Sequence, residues 1–381
     1  MRNIRILADA RALGQRPSGI GVYIYNLARE LHRRPGIEIE LVTDVCESNE
    51  MKELREEGIR VYEFGKPAGK SFLLLSYFRY VQRGILKRKP DIFWEVNILS
   101  PLPLRNPYGH LVTTIHDMFP LQYPEHFAKS YPAYFRFGLN ITSLCFDTFI
   151  YNSEETRRLS EQYFPGLRKK DNFVGYSVVP KLPEMPVCDN GSFFYCGNLE
   201  TRKGTDILLK AFALYRKKGG ARTLRLAGKV RDKEVQELLD DSEYQDGVSY
   251  LGYITEEERN QEYASCSCFV FPSRAEGFGV PVLEVMNYQK PVLVLDLSIY
   301  HEVAGECIGY VKAALGKEEE AFCDAMLSAD SMKVEEESYR QVLERYLPET
   351  LGTLFEREFR ALAEKQKNSA SAENKRRRHR G

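Results

Sequence analysis

The chain has 381 residues, 43% hydrophobic and 28% charged, which is enough apolar content for two cores of ordinary size and too much for a disordered polymer. Its 54 basic and 54 acidic residues balance, but seven Lys/Arg against a single Glu gather in 365–381 and leave the remainder net acidic. That distribution argues against nucleic acid as a partner of the folded part, and no apolar run approaches the ~20 residues of a membrane span.

Met1 to Arg5 reads as a strand start, without the apolar region of a signal peptide. Eight scattered cysteines form no C-x-x-C pair, and no histidines accompany Cys266 and Cys268, so they read as reduced thiols of a cytoplasmic protein. Ile4 to Ala8 is a buried strand ending at Asp9-Ala10-Arg11. The loop Pro17-Ser18-Gly19-Ile20-Gly21 then opens a helix on which Tyr23, Leu27 and Leu31 share a face. Ile37, Ile39 and Leu41 alternate as the next strand, and a shorter one follows at Ile59 to Phe64. This is a βαβ beginning, with Gly19 and Gly21 where a parallel sheet binds ligands; by itself a Gly-x-Gly is equally a tight turn. Residues 70–89 interleave apolar positions with Arg79, Arg83, Lys87, Arg88 and Lys89. Such a helix either covers a sheet with its apolar face or lies on an anionic membrane surface.

Leu111 to Ile115 is a β-branched strand that runs into His116-Asp117, which puts a histidine at the ligand edge of a parallel sheet. Thr148 to Tyr151 is another strand, and Ser153 caps the helix behind it. Residues 180–191 are rich in Pro and turn formers and read as an interdomain linker. The alternation then restarts. Ser192 to Cys196 is a strand, and Gly197 to Asp206 is a loop carrying Arg202, Lys203 and Gly204 before an apolar helix. Strands follow at Leu224 to Ala227 and Val248 to Leu251, the latter ending in Gly252-Tyr253-Ile254. The buried run Cys268 to Phe271 leads through Glu276-Gly277-Phe278-Gly279-Val280-Pro281 into a helix over Val282 to Tyr288 that carries Glu284. Glycines at such a junction let the backbone approach a ligand, and the two flanking carboxylates suit a polyol joined to a phosphate.

Glu276, seven residues, then Glu284, with Gly-Phe-Gly-x-Pro between them, resembles the signature of retaining glycosyltransferases of the GT-B fold, in the large group 1 family that includes bacterial mannosyl- and glucosyltransferases. Thr114-Ile115-His116-Asp117 and Arg202-Lys203-Gly204 resemble further motifs of that family. The resemblance implies an α/β fold of two Rossmann-like domains facing a central cleft. It assigns 1–182 to an acceptor domain, 183–191 to the linker, 192–345 to the donor domain, 346–364 to a helix crossing back, and 365–381 to a disordered basic tail.

By the same resemblance His116, Lys203 and Glu276 are catalytic. Gly19, Gly21, Arg202, Ile254, Gly277, Phe278, Gly279 and Glu284 bind the donor, Glu284 at the ribose and Ile254 at the base through its backbone. Asn198 stands where many relatives carry a second Arg, which puts the completeness of the phosphate clamp in question. The implied activity is transfer of a hexose from a nucleotide diphosphate sugar, GDP-mannose in first place, to a saccharide or lipid-linked acceptor, in the cytoplasm or at the inner face of the membrane. The chain has no Asp-x-Asp, the usual handle for a metal-bridged diphosphate, so no metal and no other cofactor is expected. The alternatives are a nucleotide-sugar binding protein without transfer, a GT-B epimerase, and a Rossmann oxidoreductase. Against the last, neither opening strand is followed by Gly-x-Gly-x-x-Gly.

Overall fold

A computed structural model describes residues 3–15, 18–68, 71–97 and 100–378. The chain forms two compact units. One comprises the residues up to Val178 together with those from Pro348 onward, and the other is Val179–Leu347.

The first unit is built on a parallel sheet of β1 (Ile4–Asp9), β2 (Ile37–Thr43), β3 (Arg60–Glu63), β4 (Ile92–Glu95), β5 (His110–Ile115), β6 (Thr148–Tyr151) and β7 (Asp171–Val174), in the order β3-β2-β1-β4-β5-β6-β7. The chain winds outward from β1 to β3 and then returns to the other side of β1. The carboxyl ends of β1 and β4, where Asp9 pairs in register with Glu95, therefore bound a topological switch point. Crevices of this kind are where doubly wound sheets bind ligands.

Both faces of this sheet are covered. The helix Gly19–His32 buries Tyr23, Ile24, Leu27 and Leu31 on one side. On the other side the helix Ser71–Arg88 buries Tyr77, Phe78, Val81 and Ile85. Its apolar face is thus spent on the sheet, while Arg79, Arg83 and Lys87 are exposed. Among the described residues no helix is long and apolar enough to cross a membrane.

The second unit repeats the scheme with β8 (Ser192–Cys196), β9 (Thr223–Ala227), β10 (Val248–Gly252), β11 (Cys268–Phe271), β12 (Val292–Leu295) and β13 (Gly309–Val311), ordered β10-β9-β8-β11-β12-β13 and all parallel. Its switch point lies between β8 and β11. These are the two Rossmann-like parallel-sheet domains expected from the alternation of strands and helices.

The closing helix belongs to the first unit. It starts at Pro348, whose missing N–H suits a helix start, and seats Phe355 and Phe359 against Trp94, with ring centroids 5.5 Å apart in both cases. The expected end of this helix at residue 364 and the disordered tail from 365 need correction, because the helix runs on to Arg378. From Thr353 to Arg378 the sequence contains neither Gly nor Pro, so nothing breaks the helix, and Ala, Glu, Gln, Lys and Arg favour its continuation. Residues 379–381 of that tail lie outside the described residues.

Candidate functional site

The second unit's switch point is framed by two loops, one after β8 and one after β11. Gly204 closes the first in a left-handed conformation (φ +69°), and a Cβ there would lie 1.9 Å from the Pro272 carbonyl oxygen of the second, so only glycine lets the loops meet. Arg274 then ties them together. Its guanidinium donates to both carboxylate oxygens of Asp206 (2.6 and 2.7 Å) and to the Thr201 carbonyl, and its amide donates to the Arg202 carbonyl (3.0 Å). A bidentate pair of this kind fixes orientation as well as distance.

The brace sets Lys203 against Glu276. The ammonium donates to Glu276 Oε1 at 2.6 Å, and the two side chains are only 18% and 7% exposed. Lys203 also lies over the Phe271 ring, 5.5 Å from its centroid. Arg202 turns toward the Glu200 carboxylate and the Ala275 carbonyl (3.3 Å). Gly279 (φ +85°) begins the helix Val280–Met286, and a Cβ there would lie 2.8 Å from the Tyr300 ring. The Phe278 side chain is buried edge-on against Tyr346, with centroids 5.2 Å apart, so it anchors the loop and leaves only its backbone for a ligand.

Glu284 sits on that helix, largely buried, and accepts a hydrogen bond from Tyr263 (3.0 Å) with Arg259 Nη2 3.5 Å from its other oxygen. Burial raises its pKa above the usual carboxylate range, against the lowering effect of Arg259 and Tyr263. Burial and the Glu284 charge together push the Cys196 thiol, at the end of β8, up to about 11. Ile254 is half-buried in the turn between Gly252 and Thr255, the residue that caps the helix Glu256–Ser265. Asn198 is exposed, and Arg231 donates weakly to its side chain (3.5 Å). Sequence reasoning missed Arg259 and Tyr263. They lie four apart on one face of the helix Glu256–Ser265, which is the only local signal that they act together.

The remaining candidates belong to the first unit. His116 follows β5, and its Nε2 bonds to the Val96 carbonyl at 2.8 Å. A carbonyl only accepts, so Nε2 carries the proton and Nδ1 keeps a lone pair. Burial lowers the His116 pKa to about 4, which leaves the ring neutral at physiological pH. Tyr23 packs edge-on against it, with centroids 5.0 Å apart. The Gly21 amide donates to the Ser18 hydroxyl (3.3 Å), and a Cβ at Gly21 would lie 2.5 Å from the Ala12 carbonyl, whereas Gly19 faces open space. Pro17 of this loop lies outside the described residues. All eight cysteines are free thiols.

Residues 190–329 match the family described as Glycosyl transferases group 1, and residues 17–170 match Glycosyltransferase Family 4. Over 265 residues the chain is 26% identical to O-antigen chain mannosyltransferase B of Escherichia coli, covering 65% of each chain. Over 220 residues it is 24% identical to the serotype-specific mannosyltransferase WbdA of the same species, a match to 51% of this chain and 27% of that protein. The match therefore spans under two thirds of the length of either relative. In structure it resembles Anabaena HepE, solved with UDP and glucose, with a TM-score of 0.70 at 17% identity, over 94% of this chain and all of that one. At that identity the likeness is one of fold.

Proposed function

We propose that this chain, a glycosyltransferase by its group 1 domain over 190–329 and its Family 4 domain over 17–170, transfers a hexose from a nucleotide diphosphate sugar to a saccharide hydroxyl with retention of anomeric configuration. The observation that carries this reading is the Lys203–Glu276 pair at the second unit's switch point, with Glu284 on the helix that follows. Each partner of the pair suits one half of a nucleotide sugar. Lys203, with Arg202 beside it, meets the diphosphate, and Glu276 accepts hydrogen bonds from the sugar hydroxyls. Glu284 takes the ribose hydroxyls, and the Gly277–Gly279 backbone borders the phosphates.

As the acceptor oxygen bonds to the anomeric carbon, the bond from that carbon to the diphosphate oxygen breaks and the acceptor proton passes to the departing diphosphate. Charge grows on the leaving group, where a fixed ammonium and guanidinium stabilise it most. They supply there what a metal ion would otherwise provide. His116, neutral with a lone pair on Nδ1, accepts from a sugar hydroxyl and positions the ring.

Mannose is the favoured sugar and GDP the favoured nucleotide, because the curated relatives include O-antigen mannosyltransferases; the HepE complex makes UDP the competing choice. Lipid-linked O-antigen-type saccharides at the inner face of the membrane are the favoured acceptors. The test is acceptor-dependent release of nucleoside diphosphate. Wild type should release it, while Lys203→Met and Glu276→Gln should lower the rate at least 100-fold. Release that ignores the acceptor, or survives both substitutions, removes the assignment.

A further inference from the structure

The helix Glu256–Ser265 starts from a capping box made by Thr255 and Glu258, which fixes its first turns beside the helix Val280–Met286. One face of it carries Arg259 and Tyr263, four residues apart. Tyr263 is fully buried and donates to Glu284 Oε2 (3.0 Å), which leaves Oε1 to face Arg259. The Arg259 side chain is 26% exposed and that of Glu284 15%, so both reach the surface in part.

Arg259 is poorly satisfied as a donor. Its Nη2 stands 3.5 Å from Glu284 Oε1 and 3.5 Å from Glu256 Oε1, longer than an N–H···O bond of ordinary strength. Its buried Nε has no acceptor among the described residues. Other arginines of the same unit close fully on their carboxylates. Arg274 bonds to Asp206 at 2.6 and 2.7 Å, and Arg225 donates to Glu262 at 2.7 Å. A guanidinium has five N–H donors, and one that stops short of two carboxylates points to a ligand that accepts.

The neighbours decide the class of that ligand group. An anion would be repelled by Glu284 and Glu256, and a cation by Arg259. A hydroxyl suits both sides, because it gives one proton and still accepts. Across the 3.5 Å gap a single hydroxyl can donate to Glu284 Oε1 and accept from Arg259 with bonds of ~2.8 Å. A second, vicinal hydroxyl finds further donors on the same guanidinium.

We propose that Arg259 is a specificity-determining residue of the donor site: it donates to the oxygen of a ribose hydroxyl whose proton Glu284 accepts, so that the two side chains together read the vicinal diol of a ribonucleotide. The inference rests on the reading above, which puts the ribose at Glu284. Tyr263 is then a positioning residue that holds Glu284 from behind. A site built around a hydroxyl rejects the analogue lacking it more strongly than an apolar pocket does, because its polar groups are left unpaired.

Calorimetric titration of the full chain tests it, with GDP, UDP and ADP and with the 2′-deoxy and 3′-deoxy forms of whichever binds most tightly. In wild type at least one deoxy form should bind at least tenfold more weakly than its parent. In Arg259→Leu that penalty should shrink at least fivefold, because the substitution removes a contact that the deoxy form never makes. Should Arg259→Leu fail to fold, Arg259→Met takes its place. If Arg259 acts only through its charge on Glu284, parent and deoxy forms weaken by the same factor and the penalty stays as in wild type. That result overturns the proposal and leaves the donor site standing. Equal binding of the parent and both deoxy forms by wild type overturns it as well. No binding of any nucleotide removes the donor assignment, and this inference with it.

Discussion

Removing one member of the Lys203–Glu276 pair should cost more than removing both. At 2.6 Å the pair's attraction is about 6 kcal/mol for an effective dielectric near 20, offset by the desolvation of both ions. Lys203→Met leaves Glu276, only 7% exposed, without its cation. Stranding a buried charge costs roughly 3 kcal/mol, and for a unit of this size that lowers Tm by about 6–12 °C. Lys203→Met with Glu276→Gln leaves a neutral amide beside an apolar chain of similar length, so most of the lost stability should return. Transfer should not return, because both proposed contacts to the donor are gone. Scanning calorimetry of the four proteins, with nucleotide release measured on the same samples, separates the two roles. A double variant no more stable than Lys203→Met would show that the pair is not the coupled unit its geometry implies.

His116 has a folded pKa near 4, below its unfolded value near 6.5, so the native state is deprotonated where the unfolded chain is charged. The stability this contributes is present above pH 6.5 and falls away toward pH 4, by about 3 kcal/mol in all. Urea midpoints for His116→Gln should lack that part of the acid decline; a decline identical to wild type would contradict the buried neutral ring. Arg259→Leu removes the cation that lowers the Glu284 pKa against burial, so nucleotide affinity should drop several-fold, and more at pH 6 than at pH 8. A pH-independent loss in calorimetric titrations would mean that Arg259 acts otherwise. Gly204→Ala should destabilise the second unit by more than 2 kcal/mol, roughly the cost of strained φ plus displacement of the Pro272 carbonyl, read as a lower thermal midpoint.

The parts of the site that sequence exposes are those encoded locally. Glu276 and Glu284 stand eight apart around two glycines, and Arg202-Lys203-Gly204 is contiguous, so pattern alone brings them forward. What pairs them is long-range. The ion pair joins residues 73 apart, and the Arg274–Asp206 brace joins residues 68 apart. Arg259 carries no local sign of its approach to Glu284. The same holds for the fold. β4 is the four-residue Ile92–Glu95, whose buried Glu95 interrupts an apolar run, and the edge strand β7 is the half-polar Asp171–Val174. Neither strand stands out by periodicity, although β4 creates the first unit's switch point. The helix Tyr131–Cys145 is equally hidden, because exposed Phe137 and Leu144 blur its apolar face.

The most direct measurement is a thermal-shift panel of GDP, UDP, ADP and their common sugar conjugates on wild type and Glu284→Ala. Ligand at 100 times its Kd adds about 2.7 kcal/mol to the unit that binds it. One nucleotide should therefore raise the wild-type midpoint by several degrees, increasingly with concentration, and leave Glu284→Ala unmoved. If no nucleotide stabilises wild type, or if Glu284→Ala responds as wild type does, the donor site is not where this account places it.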